Sequence, residues 1–262
     1  MIHIMKLKGP FFDCINNGTK EYEIRLNDEK RKNIKKGDFI EFQKEPYLED
    51  RIIVMVDDLL YYNSFYELIN NINLKFLAPP FMSKEKLNFD LEKFYSKEDQ
   101  NKYGVVAIKL RKNSIINNTN INNISLNEKI FDILKNNYDG FDFWFNKIKS
   151  NNTNIYYTKK DGKLTSVMIL KLDETDSQQF LEKGNILKIR TLLVIDKKNG
   201  IGKMYLSIVD NIAIGNNIDY IYLTIKNDNK ELIDFMGKNG YKKYNQYNDE
   251  FVYYKELKWA KF

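Results

Sequence analysis

The chain has 262 residues, of which 43% are hydrophobic and 14% aromatic, and its formal net charge at pH 7 is +6. This composition indicates a globular protein with one large or two ordinary cores and a mild preference for anionic partners. The single cysteine excludes an intramolecular disulfide, and with one histidine the chain has too few soft ligands for an ordinary zinc site. We expect no metal. No leader or bilayer-length apolar segment is evident in the sequence, so we expect a cytoplasmic protein.

The N-terminal half alternates strand and helix patterns. Strands are predicted where β-branched and aromatic residues lie between turn residues, and helices where apolar residues recur every three or four positions. In chain order these are a strand at 1–7, a helix at 10–16, strands at 18–26, 39–42 and 51–56, a helix at 64–71, a helix that begins at 96, and a strand at 103–108. Several short strands with a few helices predict an α+β domain.

Three charged side chains lie close together in the predicted strand at 18–26. If strand geometry holds throughout, Lys20 lies on the face opposite Glu23 and Arg25. Two cations and a carboxylate close together suit a nucleotide, with Arg25 on a phosphate and Glu23 on a base edge. The alternative is a solvated strand with a salt bridge, which the spacing alone slightly favours.

This block resembles the ASCH domain, a small β-barrel of the PUA-like group that takes part in RNA-related functions. The resemblance covers residues 1–112. It rests on Met5-Lys6-Leu7, on G-x-K-x-x-E-x-R at 18–25, on D-E-K-R at 28–31, on Gly37-Asp38 and on the strand at 103–108.

The resemblance implies that this motif lines a ligand groove. The residues that it places at a site for RNA or a nucleotide-like ligand are Lys6, Lys20, Glu23 and Arg25. Some small ASCH proteins are amidohydrolases that act on N4-acetylcytidine and use a lysine and a threonine three residues later. Here Glu23 stands at the threonine position, which favours binding over hydrolysis.

An asparagine-rich segment divides the chain. Seven of the 15 residues from 113 to 127 are asparagine, which lowers both helix and strand propensity. We therefore predict domains at 1–112 and 128–262 with a linker at 113–127. The second domain opens with helix patterns at 128–137 and 141–150 and a hairpin at 155–169 that turns at Asp161-Gly162.

Residues 187–213 carry the strongest pattern of the C-terminal half. A buried strand at 189–195 leads through Gly200 and Gly202 into an amphipathic helix that ends near Gly215. The start of a helix presents unpaired N–H groups at the positive end of its dipole, which suits a phosphate or pyrophosphate. By themselves, two glycines at such a junction favour simple turn chemistry.

The residues that follow complete a longer pattern. A strand at 219–225 leads to Asn229 at a helix start and Gly240-Tyr241 at the helix end. This order resembles the Gcn5-related N-acetyltransferase (GNAT) superfamily, with its strand, R/Q-x-x-G-x-G/A loop, helix, strand, Asn, helix and Gly-aromatic. Lys197 stands at the usual Arg or Gln position of the loop. The resemblance implies a mixed sheet flanked by helices.

The GNAT resemblance also implies direct acetyl transfer from acetyl-CoA to an amine. It places the pyrophosphate on the backbone amides of residues 200–203 and the pantetheine arm beside Val194. The residues that it assigns to the coenzyme are Val194, Lys197, Lys198, Asn199, Gly200, Ile201, Gly202, Lys203 and Asn229.

The chain departs from the GNAT pattern in two places. Met236 occupies the position of the tyrosine that many members use as general acid, and a thioether cannot donate a proton. The loop from Val194 to Gly200 is also about two residues shorter than usual. Tyr205 or Tyr241 then becomes the candidate proton donor, unless solvent protonates the thiolate or the domain has lost catalysis.

We therefore expect an α+β protein in which an ASCH barrel is joined to a GNAT-like domain. The leading hypothesis is an acetyl-CoA-dependent N-acetyltransferase whose ASCH module recruits RNA or a nucleotide-like substrate. A second hypothesis is an RNA-binding or ligand-sensing protein with a degenerate acetyltransferase domain. A third places hydrolysis of modified nucleosides or RNA at Lys20 and Glu23.

Overall fold

The computed structural model describes residues 1–111, 115–151, 153–173, 182, 184–197 and 200–257. The chain divides into two compact units, Met1–Asn118 and Thr119–Phe262. The boundary lies inside the asparagine-rich segment 113–127. Both units combine helices and strands, so the predicted α+β class is confirmed.

The N-terminal unit is built on a strongly bent sheet. Its strands are β1 (Ile2–Leu7), β2 (Tyr22–Leu26), β3 (Phe39–Lys44), β4 (Arg51–Tyr62) and β5 (Val105–Leu110). β1 and β3 are parallel, whereas β3–β4, β4–β5 and β5–β2 are antiparallel. β4 pairs first with β3 and then with β5, with a register shift between Val56 and Asp58. A bulge there bends β4, so one strand serves both halves of the sheet.

Four helices cover this sheet. They are α1 (Gly9–Asn16), α2 (Phe65–Asn71), α3 (Lys84–Glu92) and α4 (Lys97–Tyr103). Ser64, Ser83 and Ser96 cap the last three, because each serine side chain accepts a hydrogen bond from a backbone N–H of the first turn. One apolar core lies around Phe42 and a second, beneath the helices, around Phe65.

The C-terminal unit also contains a run of paired strands. Its strands are β7 (Asn154–Lys160), β8 (Lys163–Asp173), β9 (Ile186–Val194), β10 (Tyr220–Lys226), β11 (Lys242–Tyr247) and β12 (Glu250–Glu256). The spatial order is β7-β8-β9-β10-β12-β11. β9 and β10 are parallel, and the other neighbouring pairs are antiparallel. The predicted β7–β8 hairpin is confirmed, and Asp161 and Gly162 take positive φ at its turn.

Helices pack on this sheet as well. They are α5 (Ile130–Asn137), α6 (Phe141–Lys149), α7 (Ile201–Gly215) and α8 (Lys230–Lys238). The rings of Phe131 and Phe145 lie 4.9 Å apart at the centre of the core beneath α5 and α6. Within the described part of the chain, no helix has the length and apolarity needed to span a bilayer.

Part of the segment predicted as a linker is regular structure. Strand β6 (Ile116–Asn120) and a 3-10 turn at 121–123 lie within it, and Ile116–Asn118 pair with β4. Ile116, Ile121 and Ile124 are buried. The prediction of a linker rested on the low strand propensity of asparagine. The strand forms nevertheless, because burial of the apolar isoleucine side chains outweighs that intrinsic propensity.

Asp38 ties the start of β1 to the turn before β3. Its carboxylate lies 2.8 Å from the amino nitrogen of Met1 and 2.9 Å from His3 Nε2, and it accepts a hydrogen bond from the backbone N–H of Lys35 at 3.0 Å. Burial raises the pKa of Asp38, but the hydrogen bonds from Met1 and His3 outweigh this effect, so the pKa is lowered.

We predict that Asp38→Asn lowers the free energy of unfolding at pH 7 by about 1–2 kcal/mol. The folded-state pKa of Asp38 lies below the unfolded value of about 3.9, so its stabilisation is present above that value and is lost as pH falls through the folded pKa. Urea unfolding at pH 7 and at about pH 3 measures both effects. Glu49→Gln, at an exposed carboxylate, is the control. A difference between wild type and Asp38→Asn that persists unchanged at pH 3 would contradict this account.

Candidate functional site

The parallel strands β9 and β10 separate toward their carboxyl ends. Tyr220–Tyr222 of β10 pair with Ile186–Lys188 of β9, and the pairing ends there although both strands are described throughout. β9 continues to Val194 and stays paired with β8 along its other edge. The backbone edge of residues 189–194 therefore borders an opening in the sheet. In open α/β sheets, ligands bind at the carboxyl ends of parallel strands.

Helix α7 begins beside this opening. Gly200 is its N-cap residue with φ of 74°, and among the described residues no side chain caps the first-turn amides. Glycine is favoured here because residues with a Cβ atom rarely adopt this left-handed backbone conformation. Uncapped amides at the start of a 15-residue helix attract an anion. Lys203, in the first turn, is exposed.

Gly202 has a packing role. A Cβ atom at this position would lie 3.0 Å from Cζ of Phe235 in α8. This distance is shorter than an ordinary van der Waals contact. Gly202 therefore permits the close approach of α7 and α8. Gly200 has nothing within 4 Å of its Cβ position, and glycine is favoured there because of the positive φ. The two glycines of the motif serve different physical purposes.

The remaining coenzyme residues predicted from sequence lie around the starts of α7 and α8. Asn229 caps α8, because its side chain accepts a hydrogen bond from the N–H of Leu232 at 3.2 Å. Lys197 forms an exposed ion pair with Glu231 in the first turn of α8. Val194 ends β9. Lys198 and Asn199, which were also predicted, lie outside the described residues.

Tyr205 is fully buried and belongs to a chain of hydroxyl groups. Its OH lies 2.7 Å from Ser166 Oγ, which lies 2.6 Å from Thr158 Oγ1, and Thr165 Oγ1 follows at 2.8 Å. This chain fixes α7 against the β7–β8 hairpin. Sequence reasoning missed this chain of hydroxyl groups, for which the adjacent Thr165 and Ser166 are the signal in the sequence. Burial raises the pKa of Tyr205, and the hydrogen bond with Ser166 opposes this shift.

Tyr241 is also buried, at 3% exposure, and among the described residues its hydroxyl has no hydrogen-bond partner. Burial raises the pKa of Tyr241, and the charge of Asp210 adds to the shift. Met236 is fully buried in the core. A proton donor must contact the reacting group. The hydroxyls of Tyr205 and Tyr241 are thus both withdrawn from solvent, and the proton-donor role of either tyrosine stays a prediction.

In the N-terminal unit, Lys20, Glu23 and Arg25 form one buried charge cluster. Glu23 Oε1 lies 2.7 Å from Arg25 Nη1, and Glu23 Oε2 lies 3.4 Å from Lys20 Nζ. The side chains of Lys20 and Glu23 are 1% and 2% exposed, and that of Arg25 is 16% exposed. The predicted alternation fails at Lys20 because β2 begins only at Tyr22, so the lysine turns toward Glu23.

Backbone groups complete the cluster. Lys20 Nζ donates to the carbonyl oxygens of Tyr22 and, at 2.6 Å, Leu77, while Arg25 Nη2 donates to the carbonyl of Lys6 at 3.1 Å. Burial lowers the pKa of the Lys20 ammonium, and the charge of Glu23 opposes that shift. The side chain of Lys6 is exposed. Arg25 and Lys6 thus mark the solvent edge of a cluster whose interior is satisfied by the protein.

Among the described residues, no group of three or more His, Cys, Asp or Glu side chains is placed to hold a metal ion.

The ASCH domain family matches residues 5–114. No curated protein matches the chain significantly. Protein PF0455 from Pyrococcus furiosus is 35% identical over 42% of this chain and 96% of its own, with a TM-score of 0.36.

Two solved acetyltransferase structures are similar to the other part of the chain. The PaiA N-acetyltransferase from Thermoplasma acidophilum, in complex with coenzyme A, is 19% identical over 53% of this chain and 84% of its own, with a TM-score of 0.36. Naa20 from Chaetomium thermophilum, in complex with a bisubstrate analogue, is 17% identical over 54% of this chain and 86% of its own, with a TM-score of 0.42.

The contact between Gly202 and Phe235 gives a stability prediction. Gly202→Ala lowers the free energy of unfolding by about 1 kcal/mol, because overpacking outweighs the gain in helix propensity. In a Phe235→Leu background the same substitution becomes neutral or stabilising. Gly237→Ala in α8, with nothing within 4 Å of its Cβ position, is the matched control. Urea unfolding of the double-mutant cycle measures the coupling. Equal effects of Gly202→Ala in both backgrounds would refute the packing role.

Proposed function

Because the N-terminal domain, residues 5–114, belongs to the ASCH family, we propose that the protein joins an ASCH module for RNA or a nucleotide-like ligand to an acetyl-CoA-dependent N-acetyltransferase. The observation that carries the enzymatic part is the opening between β9 and β10 beside the uncapped start of α7. An extended ligand with a phosphate group suits an opening that lies between a strand end and a helix N-terminus.

The coenzyme would lie along this opening. Backbone groups at the end of β9 near Val194 suit the amides of the pantetheine arm, and the amides of residues 200–203 suit the pyrophosphate. Lys203 adds a positive charge at the helix start, and Asn229 lies at the start of α8. When bound, acetyl-CoA supplies an activated acetyl group as a thioester.

The chain's own residues limit how protons move in such a reaction. An amine that attacks a thioester carbonyl must give up a proton, and the departing sulfur must gain one. The hydroxyls of Tyr205 and Tyr241 are buried, and burial raises the pKa of both, so each holds its proton strongly. We therefore assign both transfers to solvent in the opening and give the two tyrosines structural roles.

The charge cluster of the ASCH domain favours a second, binding function. Burying an ion pair away from water is costly, and a well-packed apolar pair of similar volume often stabilises a fold at least as much as the ion pair does. Here the buried pair of Lys20 and Glu23 holds the guanidinium of Arg25 at the solvent edge, beside Lys6. A rigid, oriented guanidinium suits a phosphate. The proposed ligand is a nucleotide or a segment of RNA.

Isothermal titration tests the coenzyme site. Wild type is expected to bind acetyl-CoA, and Lys203→Glu is expected to raise Kd about tenfold, because a carboxylate at the helix start repels the pyrophosphate. Lys238→Glu reverses an exposed charge at the far end of α8 and is the control. Failure of wild type to bind would remove the acetyltransferase proposal, and binding without amine acetylation would favour the sensor alternative.

Arg25→Lys tests the nucleotide site. The substitution keeps the charge beside Glu23 but removes the fork that binds a phosphate in bidentate fashion, so affinity for a labelled trinucleotide is expected to fall about tenfold. Arg51→Lys, at a half-exposed arginine of β4 near Glu41, is the control. Fluorescence anisotropy gives the affinities, and thermal unfolding confirms that both variants fold. Unchanged affinity in Arg25→Lys would exclude Arg25 from the site.

A further inference from the structure

A second surface of the N-terminal unit combines exposed rings with lysines. Phe89 in α3 is 55% exposed, and Phe94, just beyond the helix, is 65% exposed. Lys8 Nζ lies 4.9 Å from the centroid of the Phe94 ring. Lys93 Nζ and Lys86 Nζ lie 4.2 Å and 5.5 Å from the centroid of the Phe89 ring. We call these five residues the lysine–phenylalanine surface.

Two of the three lysines lie beside one carboxylate. Asp90 Oδ1 accepts a hydrogen bond from Lys86 Nζ at 2.9 Å and lies 3.9 Å from Lys93 Nζ. The hydrogen bond from Lys86 is the main cause of the lowered pKa of Asp90, and the charges of Lys93 and Lys8 contribute. The five residues of the surface together with Asp90 thus carry three positive charges and one negative charge beside two exposed rings.

The core of the unit does not require these rings. The buried side of α3 is supplied by Leu87, at 2% exposure, and by Leu91, which is partly buried against the same core. Phe89 and Phe94 belong to neither apolar core of the unit. Exposed apolar groups that gather in one place indicate an interaction site more often than isolated ones do.

We propose that the lysine–phenylalanine surface binds single-stranded nucleic acid, with bases stacked on Phe89 and Phe94 and phosphates at Lys8, Lys86 and Lys93. Stacking on an aromatic side chain requires unstacked bases, so a duplex fits the surface less well. An acidic peptide would satisfy the lysines but would leave both rings without a flat partner. This inference goes beyond the site proposed at Arg25, since it uses different residues.

Fluorescence anisotropy with a labelled 12-nucleotide oligouridine tests the proposal on the intact 262-residue chain. Phe89→Ala with Phe94→Ala is expected to raise Kd at least tenfold. The matched control is Phe143→Ala, which removes a phenylalanine of α6 that is 77% exposed. Lys8→Ala with Lys93→Ala is expected to reduce the slope of log K against log salt by about 1.4, or about 0.7 for each phosphate that no longer meets a lysine.

The outcomes are separable from those of the Arg25 test. A loss of oligouridine binding in the phenylalanine double variant supports this surface, whatever Arg25→Lys does. Binding that depends on Arg25 but not on Phe89 and Phe94 overturns the inference and leaves the nucleotide site standing. Displacement of oligouridine by poly-glutamate at equal charge concentration, or equal affinity for a 12-base-pair duplex, also overturns it, since neither offers unstacked bases.

Discussion

The C-terminal unit depends on one constraint, which is that β9 and β10 run parallel but stay hydrogen-bonded over three residue pairs only. Helix α7 connects them, and such a crossover places the start of the helix above the carboxyl end of the first strand. The strands separate at that same end. A strand edge and a helix N-terminus, which would otherwise pair with other backbone groups, are thereby left at one opening. The hydroxyl chain from Tyr205 to Thr165 fixes the helix in this position.

The N-terminal unit faces a different physical problem, the burial of charge. Lys20, Glu23 and Arg25 pair with one another, and the two cations donate to four backbone carbonyls, at Tyr22, Leu77, Ile24 and Lys6. Loss of one partner would leave a buried charge unpaired, which usually costs more than the intact pair contributes. The cluster therefore holds Arg25 in a single orientation. By contrast, the lysine–phenylalanine surface lies in solvent, where its side chains are free to rearrange around a ligand.

Local patterns specified much of this architecture. The 3.6-residue periodicity of α7, the serine that begins α4 and the Asp161-Gly162 turn are properties of neighbouring residues, so sequence reasoning identified them. It failed at β6, where the many asparagines of the segment outnumber the apolar residues that form the strand. Ile116 of this strand is buried, although asparagines follow it in the sequence. It also failed at Lys20, because the start of β2 at Tyr22 depends on pairing with β5.

The sequence by itself determined the helix α7, the place of the glycine turn before it and the residue types that surround that turn. Only the tertiary structure decided what those residues do. Gly200 and Gly202 look equivalent in sequence, yet one satisfies a positive φ and the other makes room for Phe235. Tyr205 and Tyr241 qualify as acids by chemistry, but burial withdraws both hydroxyls from solvent. The physical reason is that φ follows from local sterics, whereas burial, close contact and charge pairing depend on segments that are distant along the chain.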